Sequence, residues 1–311
     1  MSRAPDRGFH LPVETEEMYG VFSPDRSRLL TGGDGADPKV QVWDVETGSC
    51  LRVLNGHKEP VAALCWSGDQ RLVASGAFDR EVRVWDVASG ECLLVLAGHR
   101  SYVRSVDFSQ SRERLLTGSG DGVVRIWDLA TGAMLQKLQG HRDGVYHAVF
   151  DASQTRVLSG GRDRTIRLWE VSTGRCLQAI DAKGAHVQCL AWHSDQRQFL
   201  SSSSDIRLWD SESGECLRVL EGHTDTVRSV AWSHDQRGIL SASHDRSVRI
   251  WESGTGRCLA VFKGHEACVV NAVWALDGAR VLSCDSSGGL RAFSADAILN
   301  SGSNFGLTRP E

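Results

Sequence analysis

With 311 residues, 41 % of them hydrophobic, the chain can bury a sizeable core, as one large domain or as two ordinary ones. A formal charge of -4 and a pI near 6.3 give no global electrostatic reason to bind nucleic acid or an anionic membrane, which leaves such roles to local basic patches. The nine cysteines are odd in number and contain no Cys-x-x-Cys pair, and five of them (Cys50, Cys92, Cys176, Cys216, Cys258) precede a leucine at a recurring position, so they read as part of a repeat and not as a disulfide, zinc or redox framework.

In chain order, the opening MSRAPDRGFHLPVETEEMYG lacks the apolar centre of a signal peptide, and no later run is long and apolar enough to span a membrane; a cytoplasmic location is the expectation. Short β-rich runs follow, separated by turn residues. In the third unit they are VRSVDFS, RLLTGS, VVRIWD and MLQKLQG, split by SQSRE, GDG and LATG, which predicts four strands. No segment carries a sustained 3.6-residue period, so almost no helix is expected. Tryptophans recur at 43, 85, 127, 169, 209 and 251, spaced by 42 residues except for one interval of 40, and Phe293 stands 42 beyond the last. The chain is therefore an array of seven units. After the aromatic come DVETG, DVASG, DLATG, EVSTG, DSESG and ESGTG, whose late glycine can supply the positive φ of a tight hairpin.

An acidic residue follows most of these aromatics (Asp44, Asp86, Asp128, Glu170, Asp210, Glu252), and Gly-His recurs at 56–57, 98–99, 140–141, 222–223 and 264–265. This Gly-His to Trp-Asp pattern resembles the WD-repeat family over nearly the whole chain. The resemblance implies an all-β, seven-bladed β-propeller of four-stranded antiparallel blades, covering residues 8–294, with a short extension at 1–7 and a tail at 295–311. In that family the outer strand of a blade precedes the next unit's Gly-His, so the seventh blade needs an outer strand from a terminus. Residues 8–13, GFHLPV, are expected to supply it and to remove an exposed edge; the tail is the alternative.

Four units carry what looks like a hydrolase triad: His57, Ser75 and Asp79; His99, Thr117 and Asp121; His141, Ser159 and Asp163; His223, Ser241 and Asp245. A hydrolase needs one such set in one cleft, and four copies at unit spacing argue for structure. The family resemblance implies the same, a buried hydrogen-bonded network of His, Ser or Thr, Asp and the blade tryptophan (Trp85, Trp127, Trp169, Trp251). The GSGDG of the third unit is a weak phosphate-loop match, with no following helix and no lysine. Three units depart from the pattern. The first has Pro12-Val13 at the Gly-His register. The fifth has Ala182-Lys183 there and is two residues shorter between Ser201 and Trp209. The seventh keeps His265 and Ser283 but places Ser287 at the Asp register and Phe293 at the Trp register, so three networks are expected to be incomplete.

Function should then sit in positions that vary between units on one rim. The family commonly uses the top face, and the matching positions include Lys58, Phe78 and Arg80 in the second unit, Arg100 and Tyr102 in the third, and Arg142, Arg162 and Arg164 in the fourth. Aromatics among arginines suit a protein-binding hot spot for an acidic or phosphorylated segment. Glu14, Glu16 and Glu17 enter the first unit nearby. The ordinary reading of Arg80, Arg164 and Arg246 is a solvated Asp-Arg turn, and the series Arg83, Arg125, Arg167, Arg207, Arg249 and Arg291, two residues before each aromatic, reads as repeated packing or strand-edge chemistry. A non-catalytic, monomeric protein-interaction scaffold with no cofactor or metal is the leading expectation. Two others stay open: an enzyme with its site in the central channel, for which His186, His193 and Lys183 are the one candidate cluster, and a reader of an anionic ligand.

Overall fold

A computed structural model of the chain describes residues 9–12, 18–33, 38–184 and 186–295. Among these residues there are 28 strands and no helix, arranged in seven four-stranded antiparallel sheets. In six sheets the four strands follow chain order from the channel outward, labelled a to d; in the seventh, strands a to c do so and the outermost strand comes from the N-terminal segment. Blade three shows the plan: strand a is Val103–Phe108, b is Arg114–Ser119, c is Val123–Asp128 and d is Met134–Gln139. The alternation in the sequence becomes burial: strand b is almost wholly buried in every blade, whereas strand d keeps most of its side chains in water. Strand b is therefore covered on both faces by neighbouring blades, and strand d is the rim of the disc.

The core is a ring of seven clusters, each spanning two adjacent blades. Between blades one and two, Leu30, Val40, Val42 and Leu54 pack on Val61, Trp66, Val73 and Trp85. Each blade tryptophan thus fills the gap to its neighbour, and five of them (Trp43, Trp85, Trp169, Trp209 and Trp251) rank among the largest fully buried side chains. The inner edges of the sheets, which would otherwise present unpaired backbone toward the channel, are sealed by side chains from the next blade. Ala148 N–H donates to Ser105 Oγ (2.9 Å), Phe150 N–H to Asp107 (3.0 Å) and Leu190 N–H to His147 Nδ1 (3.3 Å), while Trp66 Nε1 donates back to the carbonyl of Val21 (3.1 Å).

The turn after strand c behaves as its residues dictate. Gly48, Gly90, Gly132, Gly174, Gly214 and Gly256 all have φ between 69° and 79°. The acidic residue after the tryptophan braces that turn: Asp86 accepts from Ser89 N–H (2.8 Å) and Asp44 from Thr47 N–H (2.7 Å).

At the seam, Phe9–His10 forms a two-residue strand antiparallel to strand c of blade seven (Gly289–Ser294), with Phe9 opposite Leu290 and His10 opposite Gly289. Leu11 is buried against Phe22, Leu29 and Trp43 of blade one and Cys284 and Leu290 of blade seven. Gly8 and Val13, the ends of the expected closing strand, lie outside the described residues, as do the extension 1–7, Glu14, Glu16, Glu17 and positions 296–311 of the tail.

Candidate functional site

The repeated triads are clasps inside the blades. In blade two, His57 Nε2 lies 2.7 Å from Ser75 Oγ and its Nδ1 2.8 Å from Asp79, while Trp85 Nε1 donates to the same Ser75 Oγ (2.9 Å). Blades four and six repeat this with His141, Ser159, Asp163 and Trp169, and with His223, Ser241, Asp245 and Trp251, at 2.7–2.9 Å throughout. The serine oxygen already accepts from an indole, and His57 and Ser75 are buried, so no substrate carbonyl can approach. Asp79 also accepts from Lys58 N–H (3.0 Å) and Asp163 from Arg142 N–H (3.0 Å), which ties the loop between strand d and the next strand a to the turn between strands b and c. Burial opposes ionisation of these aspartates, but the hydrogen bonds they accept prevail; Asp245, held by Ser247 and His223, is lowered to about 2. Two of the clasp histidines, His99 and His223, move the other way from a usual ion pair, because burial outweighs the neighbouring aspartate.

Two expectations need correction. In blade seven the acid is Asp285, the last residue of strand b (Arg280–Asp285), two residues before the position where Ser287 stands; it sits 2.6 Å from His265 Nδ1, and His265 Nε2 lies 2.7 Å from Ser283 Oγ. Gly289 makes room, since a Cβ there would lie 2.3 Å from the Asp285 carboxylate. Blade seven is thus complete but for the indole donor, with Phe293 packed edge-on to His265. Among the described residues blades one and five show no His-Asp contact and keep the bonds Trp43 to Thr31 and Trp209 to Ser201 (2.8 Å each).

The second correction is Arg125. Its homologues Arg83, Arg167 and Arg249 lie over their blade tryptophans at 5.8–5.9 Å. Arg125 instead turns inward, is 3 % exposed, and places Nη1 2.5 Å from His99 Nδ1 and 2.9 Å from Asp121. His99 and Asp121 are pushed to 3.6 Å apart, although His99 still meets Thr117 (2.7 Å) and Thr117 still accepts from Trp127 (2.9 Å). The cause lies at position 123. Val123 stands where Glu81, Thr165 and Ser247 stand, and those polar side chains bond the arginine, histidine or aspartate of their own blades. Valine cannot, and the guanidinium supplies the missing polar contact.

On the rim, the residue after strand b is held against the residue before strand a: Phe78 N–H donates to Pro60 O (2.9 Å), Gly120 N–H to Tyr102 O (2.8 Å) and Arg162 N–H to Gly144 O (2.8 Å). Phe78 and Tyr102, from adjacent blades, stack with centroids 5.0 Å apart and planes at 22°, and Phe78 remains 45 % exposed. Glycine at 120 permits this, because a Cβ there would lie 2.6 Å from the Tyr102 ring. Lys58, Arg100 and Arg142 are exposed, and Arg162 forms an exposed ion pair with Asp143 (3.6 Å). Arg80 and Arg164 are exposed at turn positions with φ of 70° and 62°. The residues His186, His193 and Lys183 do not form a shared centre. His193 pairs with Asp195 (2.8 Å), Lys183 with Asp181 (3.6 Å), and His186 meets Tyr146 edge-on. Among the described residues no group of three or more His, Cys, Asp or Glu side chains could hold a metal ion.

The model of the WD domain, G-beta repeat, matches seven segments: 12–44, 48–86, 90–128, 132–170, 174–210, 214–252 and 256–294. The chain belongs to the WD-repeat family. Similar curated proteins include transducin beta-like protein 3 of Bos taurus (37 % identical over 59 residues, 19 % of this chain and 7 % of that protein) and periodic tryptophan protein 2 of Arabidopsis thaliana (37 % over 59 residues, 19 % and 6 %). Coatomer subunit beta'-2 of Arabidopsis thaliana is 35 % identical over 66 residues, 20 % of this chain and 7 % of that protein. Each match thus spans less than a tenth of the relative's length.

One feature of this WD-repeat propeller escaped the sequence reading. The channel is lined by side chains from the inner strands, among them Tyr19, Arg104, Tyr146, His147, Gln188, Arg228 and Asn271. A signal for it existed: the second residue of the inner-strand run changes from Ala62 to Arg104, Tyr146, Gln188, Arg228 and Val270, although the residue before it is almost always valine.

Proposed function

We propose that this WD-repeat propeller is a non-catalytic scaffold that binds a partner protein, through an acidic or phosphorylated segment, on the rim of blades two to four. The observation that carries the reading is the Phe78–Tyr102 stack: two aromatic rings from adjacent blades, one nearly half exposed, with exposed Lys58, Arg100 and Arg142 at equivalent positions of blades two, three and four. Rigid aromatics beside arginines are the usual composition of binding hot spots, since they bring large contact area at little entropic cost. WD-repeat propellers commonly bind proteins, and the Ser-His-Asp sets of this chain are internal clasps, which supports the non-catalytic part. Because Arg162 is already paired with Asp143, the cationic character of the rim rests on exposed Lys58, Arg80, Arg100, Arg142 and Arg164.

The test is affinity capture from lysate of the source cells, comparing the wild type with a folded variant carrying Phe78→Ala, Arg100→Glu, Tyr102→Ala and Arg162→Glu. Partners held by the wild type and lost by the variant are the expected result. The same partners on both proteins would overturn the rim assignment.

A further inference from the structure

Two arginines enter the central channel from different blades. Arg104, in strand a of blade three, places its guanidinium 4.7 Å over the Tyr146 ring and 5.7 Å over Tyr19, and donates from Nη1 to the Tyr19 hydroxyl (2.9 Å). Arg228, in strand a of blade six (Val227–Trp232), lies 5.4 Å over the same Tyr19 ring and donates to Gln188 Oε1 (3.1 Å). Both cations therefore converge on one tyrosine. Among the described residues neither has a carboxylate within ion-pair distance; they meet tyrosines and an amide.

Such an arrangement is electrostatically unsettled. Burial lowers the pKa of Arg228, and the positive charge of Arg104 lowers it further. Guanidinium remains charged in proteins, so the repulsion persists until an anion offsets it. The cavity they share, about 140 Å³, accommodates several waters or one small anion but no peptide chain. Asn271 also lines this cavity.

We propose that the channel binds a tetrahedral oxyanion of the phosphate class between Arg104 and Arg228, with Asn271 as a further donor. Two guanidinium forks from opposed strands match a dianion with several acceptor oxygens better than a single carboxylate. The site is separate from the rim and stands or falls independently of it. Two sources share the chemistry: free inorganic phosphate, and a phosphoryl group on a small solute such as O-phosphoserine.

The experiment is calorimetric titration of the full chain with inorganic phosphate at constant ionic strength, with chloride as the exchanged anion. Saturable one-site binding is expected, weakened at least tenfold by Arg104→Gln or Arg228→Gln and unchanged by Arg175→Gln, an exposed residue in the turn after strand c of blade four. Competition by O-phosphoserine would extend the site to phosphoryl groups, and failure to compete would confine it to free phosphate. Should a Gln variant fail to fold, Arg104→Lys and Arg228→Lys retain charge without the fork, and a severalfold weakening is expected. Absence of saturable binding to the wild type, or equal loss in the Arg175 variant, overturns the proposal. So would binding that emerges only when Glu14, Glu16 and Glu17 are all changed to Gln, because the chain's own carboxylates would then be the occupants.

Discussion

Blades four and five are neighbours in the ring and show two ways of building the same unit. Both bury a tryptophan whose indole donates to a strand-b serine, at 2.7 Å in blade four and 2.8 Å in blade five. Blade four adds His141 and Asp163, which connect that serine to the loop preceding strand a. Blade five has exposed Lys183 at the histidine register, and its aspartate, Asp205, is paired instead with Arg207 (2.7 Å) across a turn shortened by two residues. The lesson is that the indole–hydroxyl bond is common to the six blades that carry a tryptophan, while the His-Asp tie is an addition that fixes the rim loops. Blade one follows blade five in this, and blades two, six and seven follow blade four.

The largest expected effect lies in the shared serine. Ser159→Ala strips a partner from both Trp169 Nε1 and His141 Nε2, whereas Ser201→Ala strips one only from Trp209. At roughly 1–3 kcal/mol for each buried polar group left unsatisfied, the losses should be about 3 and about 1.5 kcal/mol in urea unfolding. Equal losses would break the comparison. At the seam between the open blade one and blade seven, the expectation that the N-terminal segment closes the ring can be tested at Leu11: Leu11→Ala should cost about 2 kcal/mol and lower cooperativity. A loss within experimental error would assign closure elsewhere.

Acid should separate the two kinds of blade. His99 and His223 have folded pKa values below their unfolded ones, and burial takes His147 down to about 4, so their stabilising contributions are complete above about pH 6.5 and fade as pH falls. Asp245, lowered to about 2, extends the decline from about pH 4 downward. Replacing His223 by Gln should flatten the upper part of that decline in a series of unfolding curves, and an unchanged slope would contradict it. Asp107 works in the opposite sense. Burial pushes its carboxyl up to about 7, so its contribution is present at low pH and lost as pH rises. Asp107→Asn, which keeps a carbonyl acceptor for Phe150 N–H, should raise stability at pH 8 by about 1 kcal/mol. The smallest effect is expected at Lys183→His in blade five: less than about 0.5 kcal/mol, since Asp205 is already satisfied by Arg207. A gain of a full clasp would mean that blade five is merely missing its histidine.

Much of this was legible in the sequence because repetition multiplies the signal. The period of 42 gave seven blades, and the recurrence of His, Ser or Thr, Asp and Trp at fixed offsets argued for structure over catalysis. What escaped was whatever depended on one unit's own solution. Asp285 sits off register and reaches His265 only because Gly289 leaves space for it. Arg125 looks like its five homologues until Val123 replaces the polar side chain that, in blades two, four and six, bonds the arginine, histidine or aspartate. The stack of Phe78 on Tyr102 depends on glycine at 120, so a residue without a side chain shapes the rim. Arg104 and Arg228 are distant in sequence and meet only when the ring is formed.

Indole N–H hydrogen exchange, read by NMR for the six blade tryptophans under native conditions, tests the central distinction most directly. The account predicts that Trp85, Trp127, Trp169 and Trp251, whose serine or threonine is also held by histidine, exchange at least tenfold more slowly than Trp43 and Trp209. A common rate for all six, or faster exchange in the histidine-bearing blades, would show that the tie contributes nothing beyond the indole–hydroxyl bond and would contradict the account.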